Sequence, residues 1–235
     1  MHPMPSPRTK LIVTSQCAQH SCTPTRYDMF TSQADRPPPL SQSICDLQEK
    51  FRPAIHEFPK VVSTTQKLLR ASQILSIPVF ATTQLRAKLG ETCPELGLDS
   101  GAEGGIKTQA HVDKSAFSMW VPELRGAFDA LGKEKREVVI VGIESHICVT
   151  QTALDLLREG HKVYVLADGV SSCNPQEVPV ALARLRQEGV VVTTSESFLY
   201  ECMGDAGIGE FRDVSRLVRE WSGMTKENLE GLCRL

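Results

Sequence analysis

The stretch VVIVGIESHICVTQTALDLLREG, residues 138–160, decides the fold. It opens as a continuous run of β-branched residues that ends at Gly142. Such a run is the pattern of a strand covered on both faces, because a half-exposed strand alternates apolar and polar residues. After a few polar residues the period changes. Val149, Ala153, Leu156 and Leu157 fall on one helical stripe. A buried strand followed at once by an amphipathic helix is half of a β-α-β unit, and Cys148 sits at the join.

The same alternation repeats outward from this segment. VVSTTQKLLRASQIL places Val61, Thr65, Leu68, Leu69, Ser72 and Leu75 on one helical face, and IPVFATT follows as a short buried strand. VPELRGAFDAL carries Val121, Leu124, Phe128 and Leu131 on one stripe. KVYVLADG and VVVTTS read as two further strands, with a helix between them that contains Ala181, Leu182 and Leu185. FRDVSRLVREW closes the pattern with Phe211, Val214, Leu217, Val218 and Trp221. Strands that alternate with helices predict an α/β fold, a parallel sheet between two helical layers. In such sheets the ligand site lies beyond the carboxyl ends of the strands.

Composition bounds the rest. The chain has 235 residues, 41% of them hydrophobic, and a formal net charge of -2. That supports one domain with a core and gives no electrostatic case for nucleic acid or an acidic membrane surface. No apolar run is long enough to span a bilayer, and no charged start followed by an apolar segment signals secretion. The 8 cysteines are scattered rather than paired in a compact framework, which fits reduced thiols and a cytoplasmic protein. Cys17, His20 and Cys22 match no zinc spacing.

Residues 1–39 are rich in Ser, Thr and Pro and read as a disordered extension. Arg8, Lys10, Arg26 and Arg36 leave a mitochondrial leader as the alternative. Asp28, Asp35 and the prolines argue against it. Residues 40–222 are expected to form the domain and residues 223–235 a C-terminal tail. The stretch 86–110 is Gly-rich and aperiodic, as lids and pocket walls often are. Its GAEGG lacks the spacing of a dinucleotide fingerprint, and no phosphate-binding GxxxxGK occurs, so a nucleotide-binding protein is a weak reading.

Three residues at or after strand ends can carry chemistry: Asp46 in DLQEKF, Lys114 in HVDKSAFSMW and Cys148. An ordinary thiol, with a pKa of about 8.5, is mostly protonated at neutral pH. A helix start and a nearby ammonium favour its thiolate. An aspartate can take the thiol proton and return it to a leaving amine, and backbone N–H groups can stabilise an oxyanion. Taken singly, each residue has a plainer reading. Cys148 is a small buried hydrophobe, Asp46 a helix cap and Lys114 a solvated charge. His146 and Glu144 also invite a Cys–His pairing, although a histidine two residues before Cys148 in a turn can point elsewhere. Spacing alone does not choose among these.

At these residues the chain resembles the isochorismatase-like family of cysteine hydrolases, its eukaryotic domain-containing branch above all. DLQEKF matches the motif D-x-Q-x-x-F, DKSAFS the lysine segment, and GIESHICV the turn G-x-x-(S/T)-x-x-C-V, in the family's order. ALARLRQEG and TTSESFL followed by GDA strengthen the likeness, which covers about residues 44–220. It implies a three-layer αβα fold with a six-stranded parallel, Rossmann-like sheet. It implies Cys148 as nucleophile, Asp46 as base and Lys114 as the charge that holds both. It further implies a cis peptide between Ile143 and Glu144, an oxyanion hole from the N–H groups of Glu144 and Cys148, and Phe51 and Phe117 as pocket walls. From its position, Gln84 is a further pocket residue.

Two departures refine the expectation. Where relatives that cleave nicotinamide carry an Asp-x-His metal motif, this chain has Thr82, Thr83 and Gln84, so no metal and no cofactor are expected. Relatives that cleave a vinyl ether lack the cysteine, so its presence favours an amide-type C–N bond and a thioester intermediate. Gln42 and Ser43 are poor residues for a first strand buried on both faces. The expected partners are a small-molecule substrate and further copies of the chain, with no nucleic acid and no membrane. The alternative is a catalytically silent module that keeps the fold for binding.

Overall fold

A computed structural model describes residues 40–99 and 105–233. The extension 1–39, with Cys17, His20 and Cys22, lies outside them. Six parallel strands form one sheet: β1 (Leu40–Cys45), β2 (Val79–Gln84), β3 (Ala110–Lys114), β4 (Glu137–Ile143), β5 (Lys162–Ser171) and β6 (Val191–Thr193). Their spatial order is β3-β2-β1-β4-β5-β6. This is the sheet predicted from the alternation. The chain leaves β1 toward one edge and returns to β4 on the other side of β1. The order therefore reverses between β1 and β4, and the crevice beyond their carboxyl ends is where such sheets place a ligand.

The helices are α1 (Phe58–Ile74), a single turn α2 (Arg86–Leu89), α3 (Pro122–Ala130), α4 (Thr150–Arg158), α5 (Glu177–Gln187), α6 (Ser195–Met203), α7 (Phe211–Glu220) and α8 (Ser222–Leu232). The core divides into two apolar layers, one on each face of the sheet. Phe58, Val61 and Leu68 of α1, Phe198 of α6 and Val214 and Leu217 of α7 fill one layer. Leu124 and Phe128 of α3, Ala153 and Leu156 of α4 and Leu182 and Leu185 of α5 fill the other. Successive strand residues serve opposite layers, as the period of two requires: Ile44 faces the first and Cys45 the second.

Two segments differ from the sequence reading. The expected tail 223–235 instead contains α8, whose Thr225, Asn228 and Leu232 are buried. Lys67 of α1 donates to Thr225 Oγ1 at 2.9 Å, and Asn228 Nδ2 donates to Thr64 Oγ1 at 2.9 Å. The buried face of α8 is largely polar, so hydrophobic periodicity gave no sign of it. In β1, Gln42 and Ser43 are buried despite their polarity. The Gln42 carboxamide accepts from Ser72 Oγ of α1, while its Nε2 has no partner among the described residues. Tertiary contacts from α1 and β4 thus override a weak local preference for a central strand.

Candidate active site

The site begins where β1 ends. Asp46 follows the last residue of β1 and has φ of 51°, in the left-handed region that an aspartate tolerates better than most residues. Its carboxylate is buried. Oδ1 accepts from Thr82 Oγ1 on β2 at 2.7 Å, and Oδ2 accepts from Lys114 Nζ at 2.7 Å. The Lys114–Asp46 pair is closed to water, each side chain being 1% exposed.

Lys114 is the last residue of β3, two strands away from β1. The strand between supplies the bridge. Gln84 pairs with Lys114 in the β2–β3 register, and its Oε1 accepts from Nζ at 2.7 Å. The backbone carbonyls of Ala116 and Phe117 accept at 3.1 Å each. Burial alone would lower the Lys114 pKa. The negative charge available on Cys45, Asp46 and Cys148 outweighs it, and the net direction is upward. The ammonium is therefore a fixed positive charge in an apolar surround.

Cys148 lies beyond β4 in a widened turn, Ser145–Val149, that runs into α4. The Val149 N–H reaches back five residues to the Glu144 carbonyl at 3.2 Å. Thr150 Oγ1 donates to the Ser145 carbonyl at 2.6 Å and Thr152 Oγ1 to the Cys148 carbonyl at 2.6 Å. Such insertions at a helix start recur at functional sites because they re-aim one side chain. The peptide bond between Ile143 and Glu144 is cis. The sulfur of Cys148 lies within 4.8 Å of both a carboxylate oxygen of Asp46 and the sulfur of Cys45.

The three strand ends thus bring Asp46, Lys114 and Cys148 into one buried cluster. The other residues singled out in the sequence divide. Gln84 is 7% exposed and engaged with Lys114 and with the Ser115 carbonyl at 2.9 Å. It reads better as a positioning group than as a free substrate contact. Phe117 contributes its carbonyl to Lys114, but its ring is 53% exposed. Phe51 is half-buried and packs against the core layer of α1. His146 turns away from the thiol, with Nδ1 2.9 Å from Ser172 Oγ, and Glu144 Oε2 accepts from the Cys173 N–H at 2.8 Å. That geometry does not support a Cys148–His146 pair.

Sequence reasoning missed Thr82 and Gln48 as site residues. Gln48 locks the ends of β1 and β2 together. Its Oε1 accepts from the Gln84 N–H at 2.7 Å and its Nε2 donates to the Gly90 carbonyl at 2.6 Å. The third position of D-x-Q-x-x-F was a signal for it. Thr82 gave none, because which threonine of ATT meets Asp46 depends on strand register. Cys45 was also passed over as a site residue. Its thiol donates to Asp46 Oδ2 at 3.6 Å, and its sulfur lies within 4.8 Å of that of Cys148.

Comparisons with known proteins bear on the family and the fold. The isochorismatase domain model matches residues 44–197. Mouse isochorismatase domain-containing protein 2A is 40% identical over 177 residues, 75% of this chain and 81% of the mouse protein. A secreted isochorismatase effector, Isc1, of Phytophthora sojae is 37% identical over 75% of this chain and 83% of its own. Among solved structures, the MAR1 ribonuclease of Caenorhabditis elegans aligns with a TM-score of 0.70 and 36% identity, covering 78% of this chain and 91% of that one.

Proposed function

The chain belongs to the isochorismatase family, and from that premise we propose that it is a metal-independent cysteine hydrolase acting on a small amide-type C–N bond. The observation that carries this reading is the buried cluster itself, Cys148 sulfur within 4.8 Å of the Asp46 carboxylate and Asp46 ion-paired with Lys114 at 2.7 Å. Burying an ion pair costs several kcal/mol per charge before the partner repays it. A module kept only for its fold has no need of one beside a thiol. Asp46 takes the Cys148 proton as the sulfur attacks the carbonyl carbon. The N–H groups of Glu144 and Cys148 face the developing oxyanion. Asp46 then returns the proton to the leaving amine, and water cleaves the thioester. Lys114 balances the negative charge that passes between carboxylate, thiolate and oxyanion.

The test is turnover of a panel of small primary amides by the purified chain and by Cys148→Ala. Loss of a nucleophile costs at least about 10³-fold in kcat. Full turnover by Cys148→Ala would remove the proposal. A second reading has one observation behind it, the 36% identity to the C. elegans protein described as a ribonuclease. In that reading the scissile bond is a phosphodiester. The same two proteins incubated with RNA decide between them, since only this reading expects cleavage that depends on the cluster.

A further inference from the structure

The active-site cluster holds one more reactive group than hydrolysis uses. Cys45, the last residue of β1, is fully buried, and its sulfur lies within 4.8 Å of the Cys148 sulfur. Both side chains belong to the same apolar layer, on the face covered by α4. A metal ion is the obvious occupant for Cys45, Asp46 and Cys148 together. The Lys114 ammonium at 2.7 Å from Asp46 already supplies the positive charge there, and a cation would have to displace it or sit against it.

We propose that Cys45 is a resolving cysteine for Cys148, and that the pair forms a reversible disulfide when the site meets a hydroperoxide. The inference rests on Cys148 being the reactive thiol of the site. The order of events follows from access. Cys148 retains 7% exposure while Cys45 has none, so an oxidant reaches Cys148 first. The Cys148 sulfur attacks the peroxide, an S–O bond forms as O–O breaks, and the thiol proton passes through Asp46 to the departing alcohol. This leaves a sulfenic acid on Cys148. The Cys45 sulfur then attacks the Cys148 sulfur, S–S forms as S–O breaks, and the Cys45 proton leaves with the oxygen as water. Two thiols have lost one electron each, and the peroxide has gained both.

One feature favours the second step over further oxidation. Cys45 donates its S–H to Asp46 Oδ2 at 3.6 Å, so a base for its proton is in place. Burial, with Cys148 and the Asp46 charge beside it, pushes the Cys45 thiol well above its ordinary range, so Cys45 reaches that step protonated and Asp46 has to take its proton as the sulfur attacks. Closing the sulfurs to about 2.05 Å requires side-chain rotation at both residues. The widened turn that carries Cys148 lies beyond the carboxyl end of β4 rather than inside a strand. The consequence is protection. An active-site thiol without a neighbour proceeds to sulfinic acid, which most proteins cannot reverse.

The experiment treats the full chain with hydrogen peroxide in the presence of a chelator, blocks remaining thiols with iodoacetamide and maps the cysteines by mass spectrometry. A linked pair of peptides containing Cys45 and Cys148, lighter by two hydrogen atoms and released by dithiothreitol, is expected. In Cys45→Ser, with Cys45→Ala as a second variant whose fold is checked by circular dichroism, Cys148 is expected to gain two or three oxygens. Most of its alkylation is then not recovered with dithiothreitol, whereas the wild type recovers. Sulfinic Cys148 in the wild type with no linked pair overturns the inference and leaves Cys148 as a reactive thiol. A Cys148 that resists both peroxide and iodoacetamide overturns the inference and the reading beneath it.

Discussion

Asp46 is held by three groups at once, and its backbone is held in a conformation it would not choose alone. A non-glycine residue in the left-handed region costs of order 1 kcal/mol and persists only where the surroundings over-determine it. Here the ties are Thr82 Oγ1 on one carboxylate oxygen and Lys114 with the Cys45 thiol on the other. Thr82→Val keeps the shape of the side chain and removes the donor. A hydrogen bond to a charged group is worth about 1.5–3 kcal/mol, so kcat/KM is expected to fall by about 10- to 100-fold. Alkylation of Cys148 by iodoacetamide should still exceed that of the other thiols. If turnover is unchanged, Thr82 packs against Asp46 without positioning it. Of these residues, Asp46, Lys114 and Cys148 were legible in the sequence through three ordered motifs. Thr82 and Gln84 stood in plain view but without their roles. A motif reports residue identity along the chain, while their partners sit on neighbouring strands.

At the scale of elements, the site depends on how closely β1 and β4 approach at their carboxyl ends. Gly142 is paired with Cys45 in the register and has φ of 117°. A Cβ built there would lie 2.1 Å from the Cys45 carbonyl oxygen, a backbone atom that cannot move aside cheaply. Gly142→Ala must therefore part the two strands or strain the turn that follows. A loss of about 3 kcal/mol or more is expected in urea unfolding, with weakened preference for Cys148 in alkylation. An alanine variant as stable as the wild type would show that the strands can separate at no cost. The sequence marked Gly142 only as the end of an apolar run. The widened turn after it was equally hidden. A helix starting at Cys148 was expected, whereas α4 begins at Thr150 and the thiol sits in the insertion. Five-residue hydrogen bonds leave no period in hydrophobicity.

For the whole molecule, buried titratable groups set the response to alkali, and they oppose one another. Burial, with the Glu49 hydrogen bond and charge beside it, pushes the Cys93 thiol up to about 12. Burial and the charge of Asp168 push Cys233 up to about 11. Cys45 is raised too. Each thiol keeps its proton in the folded chain after the unfolded chain has lost it. Their stabilisation is complete below pH about 9 and is lost as pH rises through the folded values. Lys67 acts the other way. Its ammonium is buried between α1 and α8 and burial lowers its pKa from 10.5. Between that lowered value and 10.5 the unfolded chain binds the extra proton, so this residue adds stability as pH rises. The wild type is expected to lose stability above pH about 9. Lys67→Met, which removes the opposing contribution, should fall more steeply between neutral pH and 10.5 in urea titrations across pH. Parallel profiles for the two proteins would mean that Lys67 titrates alike in both states.

The sequence by itself determined the layered α/β architecture, because the change from a continuous apolar run to a helical stripe recurs along the chain and burial is a local pattern. It also singled out Asp46, Lys114 and Cys148 as the candidate site, since motif spacing is written along one dimension. Only the tertiary structure decided what those residues touch. The polar β1 became a central strand because α1 and β4 close over it. The expected tail became α8 because Lys67 pairs with Thr225 and Thr64 with Asn228, 158 and 164 residues apart in the chain. Cys45 met Cys148 because the strand order reverses between β1 and β4. Hydrophobic periodicity records what each residue avoids, namely water. Partners chosen by register, crossover and close backbone approach are properties of pairs far apart in the chain, and no single segment encodes them.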